Sequence, residues 1–310
     1  MKLYFLLFIV SKITSLPVPD DRIVFRDDDD YLVDDSADDI RLDQYERLLT
    51  DSNLLKSDNT TKEFLYDEKV PATRLENGQF YQGDIILVQE QLDILKYPDD
   101  DDDPFGTRTG VISENYRWPK NKEGKVIVPY KIEEGTYNFV DRIRMYLGMY
   151  DLEKYTCVKF KQRENEQDYL FIKAGKGCSS NLGKLGGKQT VTLQRNGCLS
   201  RGTIIHELIH ALGYDHMHSH SERDKYVDVV WDNIDAKSRK NFDKVNPKKF
   251  SNFGTKYDFY SVMHYSPTAF SKTGKRTLVP KDSRYRNVIG QRVSLSVGDA
   301  ERINNMYKCK

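Results

Sequence analysis

The chain has 310 residues, 31% of them charged, with 48 acidic and 48 basic side chains and a formal net charge of zero. That length suits one large domain or two smaller ones, and no run of residues is long and apolar enough to span a bilayer. The zero sum conceals a division: residues 16–108 carry 26 acidic and 10 basic side chains, a net of −16, whereas residues 109–310 carry 22 and 36, a net of +14. Opposite charges on two halves of one chain predict that the halves bind each other.

Residues 1–16 read as a secretory signal, with Lys2 followed by eight apolar residues from Leu3 to Val10 and cleavage expected near Ser15. The protein is therefore expected to be secreted. Residues 17–108 form an acidic segment. Its aspartate runs, Asp27–Asp30 and Asp99–Asp103, repel themselves and read as solvated linker rather than as calcium sites. Asn59-Thr60-Thr61 is an acceptor for N-glycosylation. Between the runs, Gly83-Asp84 follows Phe80-Tyr81-Gln82. By default this is a turn, although it could also offer a carboxylate to a metal. Arg108 ends a stretch suited to proteolytic nicking, and a trypsin-like cut before Thr109 would separate the acidic and basic halves.

In residues 109–310, Val126–Ile132 reads as a strand, placed at a sheet edge by Pro129. Residues 137–152 have helical spacing, with Phe139, Val140, Ile143, Tyr146 and Leu147 on one face. Strands are expected at 157–162, 169–173 and 190–194, with a glycine-rich loop at 178–187 and a last helix at 296–307. Strands alternating with helices imply an α+β domain with a sheet backed by helices. Four cysteines, Cys157, Cys178, Cys198 and Cys309, favour two disulfides in an exported chain, with three pairings open.

The most specific stretch is His206-Glu207-Leu208-Ile209-His210-Ala211-Leu212-Gly213-Tyr214-Asp215-His216. Apolar residues 204, 205, 208, 209 and 212 recur at helical spacing and predict a buried helix. His206 and His210 lie one turn apart and can share a metal ion. Glu207, beside the first ligand, can hold a water rather than bind the metal. Gly213 permits the left-handed turn that ends the helix and brings His216 back as a third ligand. Three imidazoles and an adjoining carboxylate describe a catalytic Zn2+ site with one open position. All six histidines of the chain fall between His206 and His264. Further on, Ser261-Val262-Met263-His264-Tyr265 places a methionine in a tight turn, the metzincin signature. Met263 would be a hydrophobic floor beneath the imidazoles, and Tyr265 a phenolic donor able to stabilise an oxyanion.

With the 206–216 helix, the 261–265 turn, the four cysteines, Trp118-Pro119 and Ile303–Tyr307, the sequence resembles the astacin family of zinc endopeptidases, part of the metzincin clan. The resemblance implies a metzincin-type peptidase domain over 109–310. Its twisted, mostly parallel sheet and two long helices would fill the first half and an irregular second half would follow, with an acidic propeptide in front. It implies Zn2+ on His206, His210 and His216, Glu207 as general base, and Tyr265 as a ligand that swings away to stabilise the tetrahedral intermediate. It implies the pairs Cys157–Cys309 and Cys178–Cys198, and a mature chain starting at Thr109 after activation by a trypsin-like protease. Tyr81-Gln82-Gly83-Asp84 stands for the family's F-x-G-D, which makes Asp84 the inhibitory metal ligand in the propeptide. Substrates would be extracellular proteins or peptides, extended along an edge strand within Cys178–Leu185.

Two residues depart from the family. Met217 replaces the glutamate that anchors the new N-terminus, and His220 replaces an arginine. They are the only support for the alternative, a secreted zinc-binding or adhesion module that has lost catalysis. A monomer is expected, without an appended module, bound neither to nucleic acid nor to membrane; the basic half could bind anionic extracellular polymers.

Overall fold

The computed structural model describes residues 80–91, 114–245 and 251–310. The chain divides into two units, Met1–Leu65 and Tyr66–Lys310, and every described residue belongs to the second. The segment read as a secretory signal, Asn59, both aspartate runs and the Arg108–Thr109 bond lie outside the described residues.

Six strands form one sheet in the order β1-β5-β6-β4-β2-β3. They are β1 (Ile85–Ile86), β2 (Val126–Ile132), β3 (Val158–Gln162), β4 (Tyr169–Lys173), β5 (Cys178–Asn181) and β6 (Lys188–Leu193). All neighbours run parallel except β5 against β6. The alternation that makes these segments strands also supplies the core, because Val126, Val128, Leu170, Ile172, Val191 and Leu193 are buried. Contrary to the sequence reading, β2 is interior, with β3 on one side and β4 on the other. Val126 donates to Cys157 O on the β3 side and Ile127 to Pro119 O on the other. By alternation, the donor that Pro129 lacks faces the β4 side, one residue before β4 begins its pairing at Tyr130. The proline therefore interrupts no ladder bond. Nor is 178–187 wholly a loop: its first four residues are the antiparallel strand β5.

Helix α1 (Phe139–Tyr155) starts at a capping box between Asn138 and Asp141. Its buried residues are Asp141, Met145, Gly148, Met149, Asp151 and Leu152, while the five apolar residues expected to face inward are only half-buried. The shift follows from contacts on two sides. Tyr146 meets Tyr130 of the sheet edge-on, and Gly148 lies where a Cβ would come within 2.7 Å of Ile204 on the next helix. That next helix, α2 (Arg201–Ala211), is capped by Ser200 and has Ile204, Ile205, Leu208 and Ile209 buried. Asp151 of α1 pairs with Arg201 at its start.

Beyond α2 the chain is mostly 3-10 turns, a two-stranded antiparallel pair, β7 (Val227–Val229) and β8 (Leu278–Pro280), and a last helix, α3 (Val297–Met306). Met217, Phe242, Tyr257, Tyr265 and Leu278 belong to one apolar cluster in this half. Disulfides join Cys157 to Cys309 and Cys178 to Cys198. No helix among the described residues is long and apolar enough to cross a membrane.

Candidate metal centre

The site grows from the end of α2. Its last carbonyls, which an isolated helix would leave without donors, are all taken. Trp118 Nε1 donates to Ala211 O at 2.8 Å, Tyr307 Oη to Leu212 O at 2.9 Å, and the Gly183 and Gly213 amides to His210 O at 2.9 and 2.8 Å. Gly213 takes φ +106°, which turns the chain so that His216 faces the helix it has just left. The Asp215 carboxylate accepts the His216 backbone N–H at 2.6 Å and steadies that turn.

The three imidazoles are thereby brought together, their ring centroids 4.7–5.2 Å apart. Each is oriented through Nδ1. His206 Nδ1 donates to Val262 O at 2.8 Å, His210 Nδ1 to Tyr214 O at 2.6 Å, and His216 Nδ1 to Gln82 Oε1 at 2.9 Å. With Nδ1 protonated in all three, every Nε2 presents a lone pair to the same point. His206 and His210 Nε2 are 3.2 Å apart. Two nitrogens each about 2.0–2.1 Å from one tetrahedral zinc would lie about 3.3 Å apart.

Asp84 completes the group. Its carboxylate is buried and lies 3.2 Å from His206 Nε2, 3.5 Å from His210 Nε2 and 3.3 Å from His216 Nε2. The four donor atoms all fall within 4.8 Å of one another. A carboxylate facing three nitrogen lone pairs is repulsive unless a cation sits among them, and Asp84 Oδ1 has no hydrogen-bond donor. The donor set suits zinc. Burial would raise the Asp84 carboxyl, but His216 and His210 outweigh it and hold its pKa well below the ordinary value. Burial lowers His206 well below the usual imidazole range. For His216 burial acts the same way, yet with no cation in the site Asp84 and then Asp215 push it up to about 9, so that a proton takes the place of a metal ion at its Nε2.

Glu207 points from the same helix with 1% exposure, and its Oε2 has no hydrogen-bond partner. Burial and then Asp84 raise its carboxyl well above the ordinary value, against the pull of Arg292. Glu207 Oε2 thus lacks the partner that a buried polar atom ordinarily finds, beside the side chains that could hold a metal ion.

The turn at 261–265 closes the other side. Asp299, near the start of α3, accepts from Ser261 Oγ at 2.6 Å and Val262 N at 2.8 Å, and Arg302 pairs with it. Met263 is wholly buried, and its carbonyl accepts from Met217 N at 3.0 Å. Arg292 Nη1 donates to the Val262 carbonyl that also orients His206, at 2.7 Å. Tyr265 lies edge-on to His216 and stacks on His218 with centroids 3.5 Å apart. Its phenol donates to the Gln82 carbonyl.

The profile of the Astacin peptidase family matches residues 111–308. The chain belongs to the astacin family. It is 40% identical over 254 residues to the astacin-like metalloendopeptidase of Gallus gallus, a match covering 81% of this chain and 60% of that protein. It is also 40% identical over 196 residues to the low choriolytic enzyme of Oryzias latipes, covering 63% and 70% of the two chains. High choriolytic enzyme 1, a hatching enzyme zinc-protease from the same fish, superimposes with a TM-score of 0.60 at 37% identity, over 64% of this chain and 97% of that one. The chain thus spans only about 60% of the length of its avian relative.

The geometry brings together His206, His210, His216, Asp84, Glu207, Tyr265 and the Met263 turn, all singled out in the sequence. Of the two departures from the astacin pattern, Met217 is buried in the apolar cluster, and His220 is half-buried and accepts the Glu222 amide at 2.9 Å. Four contributors carried no sequence signal of their own. Gln82, Arg292, Asp299 and Asp215 act through partners distant in sequence; Gln82 and Asp215 stood inside quoted motifs, and only for Asp215, a carboxylate next to a ligand histidine, was a hint available.

Proposed function

We propose that the protein is a secreted zinc endopeptidase made as a latent precursor, with residues 17–108 as propeptide and 109–310 as the catalytic domain. The carrying observation is the convergence of three Nδ1-anchored imidazoles beside the unpartnered Glu207 carboxylate. Membership of the astacin peptidase family supports the reaction class.

Zinc bound to His206, His210 and His216 would supply Lewis acidity, lowering the pKa of water and polarising the scissile carbonyl. Glu207 then takes the proton of the attacking water and returns it to the leaving amine. Tyr265 donates to the carbonyl oxygen as it becomes anionic. The substrate would lie along β5, which becomes an edge of the sheet once β1 leaves.

Each of these places is taken by residues 80–91. Asp84 faces the three imidazoles, the Gln82 carbonyl holds the Tyr265 phenol, and β1 pairs in parallel with β5, Ile85 opposite Ser180 and Ile86 opposite Asn181. Gln91 Nε2 adds a bond to Leu182 O at 2.9 Å. This occupancy supports latency, with release expected on cleavage after Arg108.

The test is cleavage of a denatured protein by trypsin-processed chain, trypsin then being blocked, with and without a zinc chelator. Chelator-sensitive cleavage is expected. No cleavage by folded, zinc-loaded, processed protein would refute the reading.

A further inference from the structure

Gln82 stands between two groups that would otherwise meet. Its Oε1 accepts the His216 Nδ1–H at 2.9 Å, and its Nε2 donates to Asp215 Oδ2 at 3.2 Å. The other oxygen of Asp215 lies 3.6 Å from His216 Nδ1. All three residues are buried, at 1%, 7% and 3% exposure for Gln82, Asp215 and His216. Gln82 reaches this position from a tight turn closed by the Tyr81 and Ile85 backbones, at φ +49°, and has no covalent reason to stay once the segment is cut away.

We propose that Asp215 is the positioning residue of the third metal ligand in the processed protein, its carboxylate taking the His216 Nδ1–H directly when Gln82 departs. This rests on reading residues 80–91 as a removable propeptide. Departure leaves a buried N–H donor and a buried carboxylate oxygen without partners, and each orphan is costly. His216 Nδ1 already lies 3.6 Å from Asp215 Oδ1, the oxygen that accepts the His216 backbone N–H, so a small rotation of the carboxylate brings one of its oxygens within hydrogen-bond distance of the Nδ1–H. The new bond is charge-assisted and stronger than the amide bond it replaces. A carboxylate behind a ligand imidazole locks its tautomer and raises its basicity, and loss of such a partner lowers metal affinity about 10–100-fold. His206 and His210, held by backbone carbonyls, undergo no such exchange. Processing would therefore open the coordination position of Asp84 and tighten His216 in the same step.

Zinc release to a chromophoric chelator tests this, measured on full-length and trypsin-processed wild type, Asp215→Asn, Gln82→Leu and the double variant. Processed Asp215→Asn should release zinc about 10–100-fold faster than processed wild type, with a smaller effect in the full-length chain, where Gln82 still holds His216. Full-length Gln82→Leu should keep its zinc, because Asp215 closes the gap, and the double variant should lose it. Wild-type release from processed Asp215→Asn would show that water suffices and overturn the proposal. So would an equal loss in both forms of Asp215→Asn, which marks a role in the fold, or release from Gln82→Leu as fast as from the double variant. Gln82→Leu keeps the test open if Asp215→Asn does not fold. Zinc release needs no peptide substrate, so absent proteolysis with these zinc results would sink the peptidase reading alone.

Discussion

The two halves of the domain hold their share of the site by different means. Up to His216, side chains are placed by regular elements: His206, Glu207 and His210 sit on one helix whose apolar face is buried along its length. After His216, Met263 and Tyr265 sit on a turn with no repeating structure, held by a buried polar lattice in which Asp299 binds Ser261, Val262 and Arg302 and Asp258 binds Ser296. Placement by periodicity tolerates substitution of a side chain that only does chemistry. Placement by buried charge ties geometry to the ionisation of a few carboxylates.

The sharpest way to probe the first half is Glu207→Gln, which keeps the helix and removes the base. Turnover should fall by about 10²–10⁴-fold with one zinc per chain retained, as read by peptide hydrolysis and metal analysis. Loss of zinc along with activity would mean that Glu207 is structural. In the second half, Tyr265→Phe keeps the ring stacked on His218 and deletes the phenol. The expected loss is about 10²-fold in kcat with little change in KM. An unchanged kcat would remove Tyr265 from the reaction. For the segment at 80–91, Asp84→Ala should give an uncut precursor with about tenfold or more activity above wild-type precursor. The leak should stay below the processed level, because β1 still covers β5. Equal activity of the two precursors would refute the inhibitory role.

The same contrast explains how much could be read from the sequence. An i, i+4 histidine pair, a glycine where the helix must end and a third histidine three residues later are local, so spacing alone located them. Strands were located by alternation, but alternation does not tell an interior strand from an edge one, and Pro129 misled because the side its missing donor faces depends on where β4 begins. The lattice under the 261–265 turn was invisible for another reason. Ser261 and Asp299 are 38 residues apart, Trp118 and Ala211 are 93, Gln82 and Asp215 are 133. Such pairings obey no period. Asp84 lies between these cases, a weak turn signal by itself that became a metal-facing carboxylate only through the resemblance and then the fold.

The most direct test of placement by charge is the pH dependence of stability. Burial, then the neighbouring Asp299 carboxylate, raises the Asp258 pKa from 3.8 to about 6. Its folded pKa therefore exceeds its unfolded value, so between about pH 4 and pH 6 the folded chain binds more protons than the unfolded one. Stability from this group is fully present below pH 4 and is lost as pH rises through 6, by at most about 3 kcal/mol. Asp258→Asn cannot ionise; its single oxygen can accept from Ser296 Oγ or from the Tyr260 N–H but not both, a cost that does not change with pH. The difference in unfolding free energy between variant and wild type should then grow in the variant's favour from pH 4 to pH 7 in urea titrations. A difference that stays constant with pH would mean that the second half is held by shape and hydrogen bonding rather than by the balance of its buried charges, and the contrast between the halves would shrink to one of regularity alone.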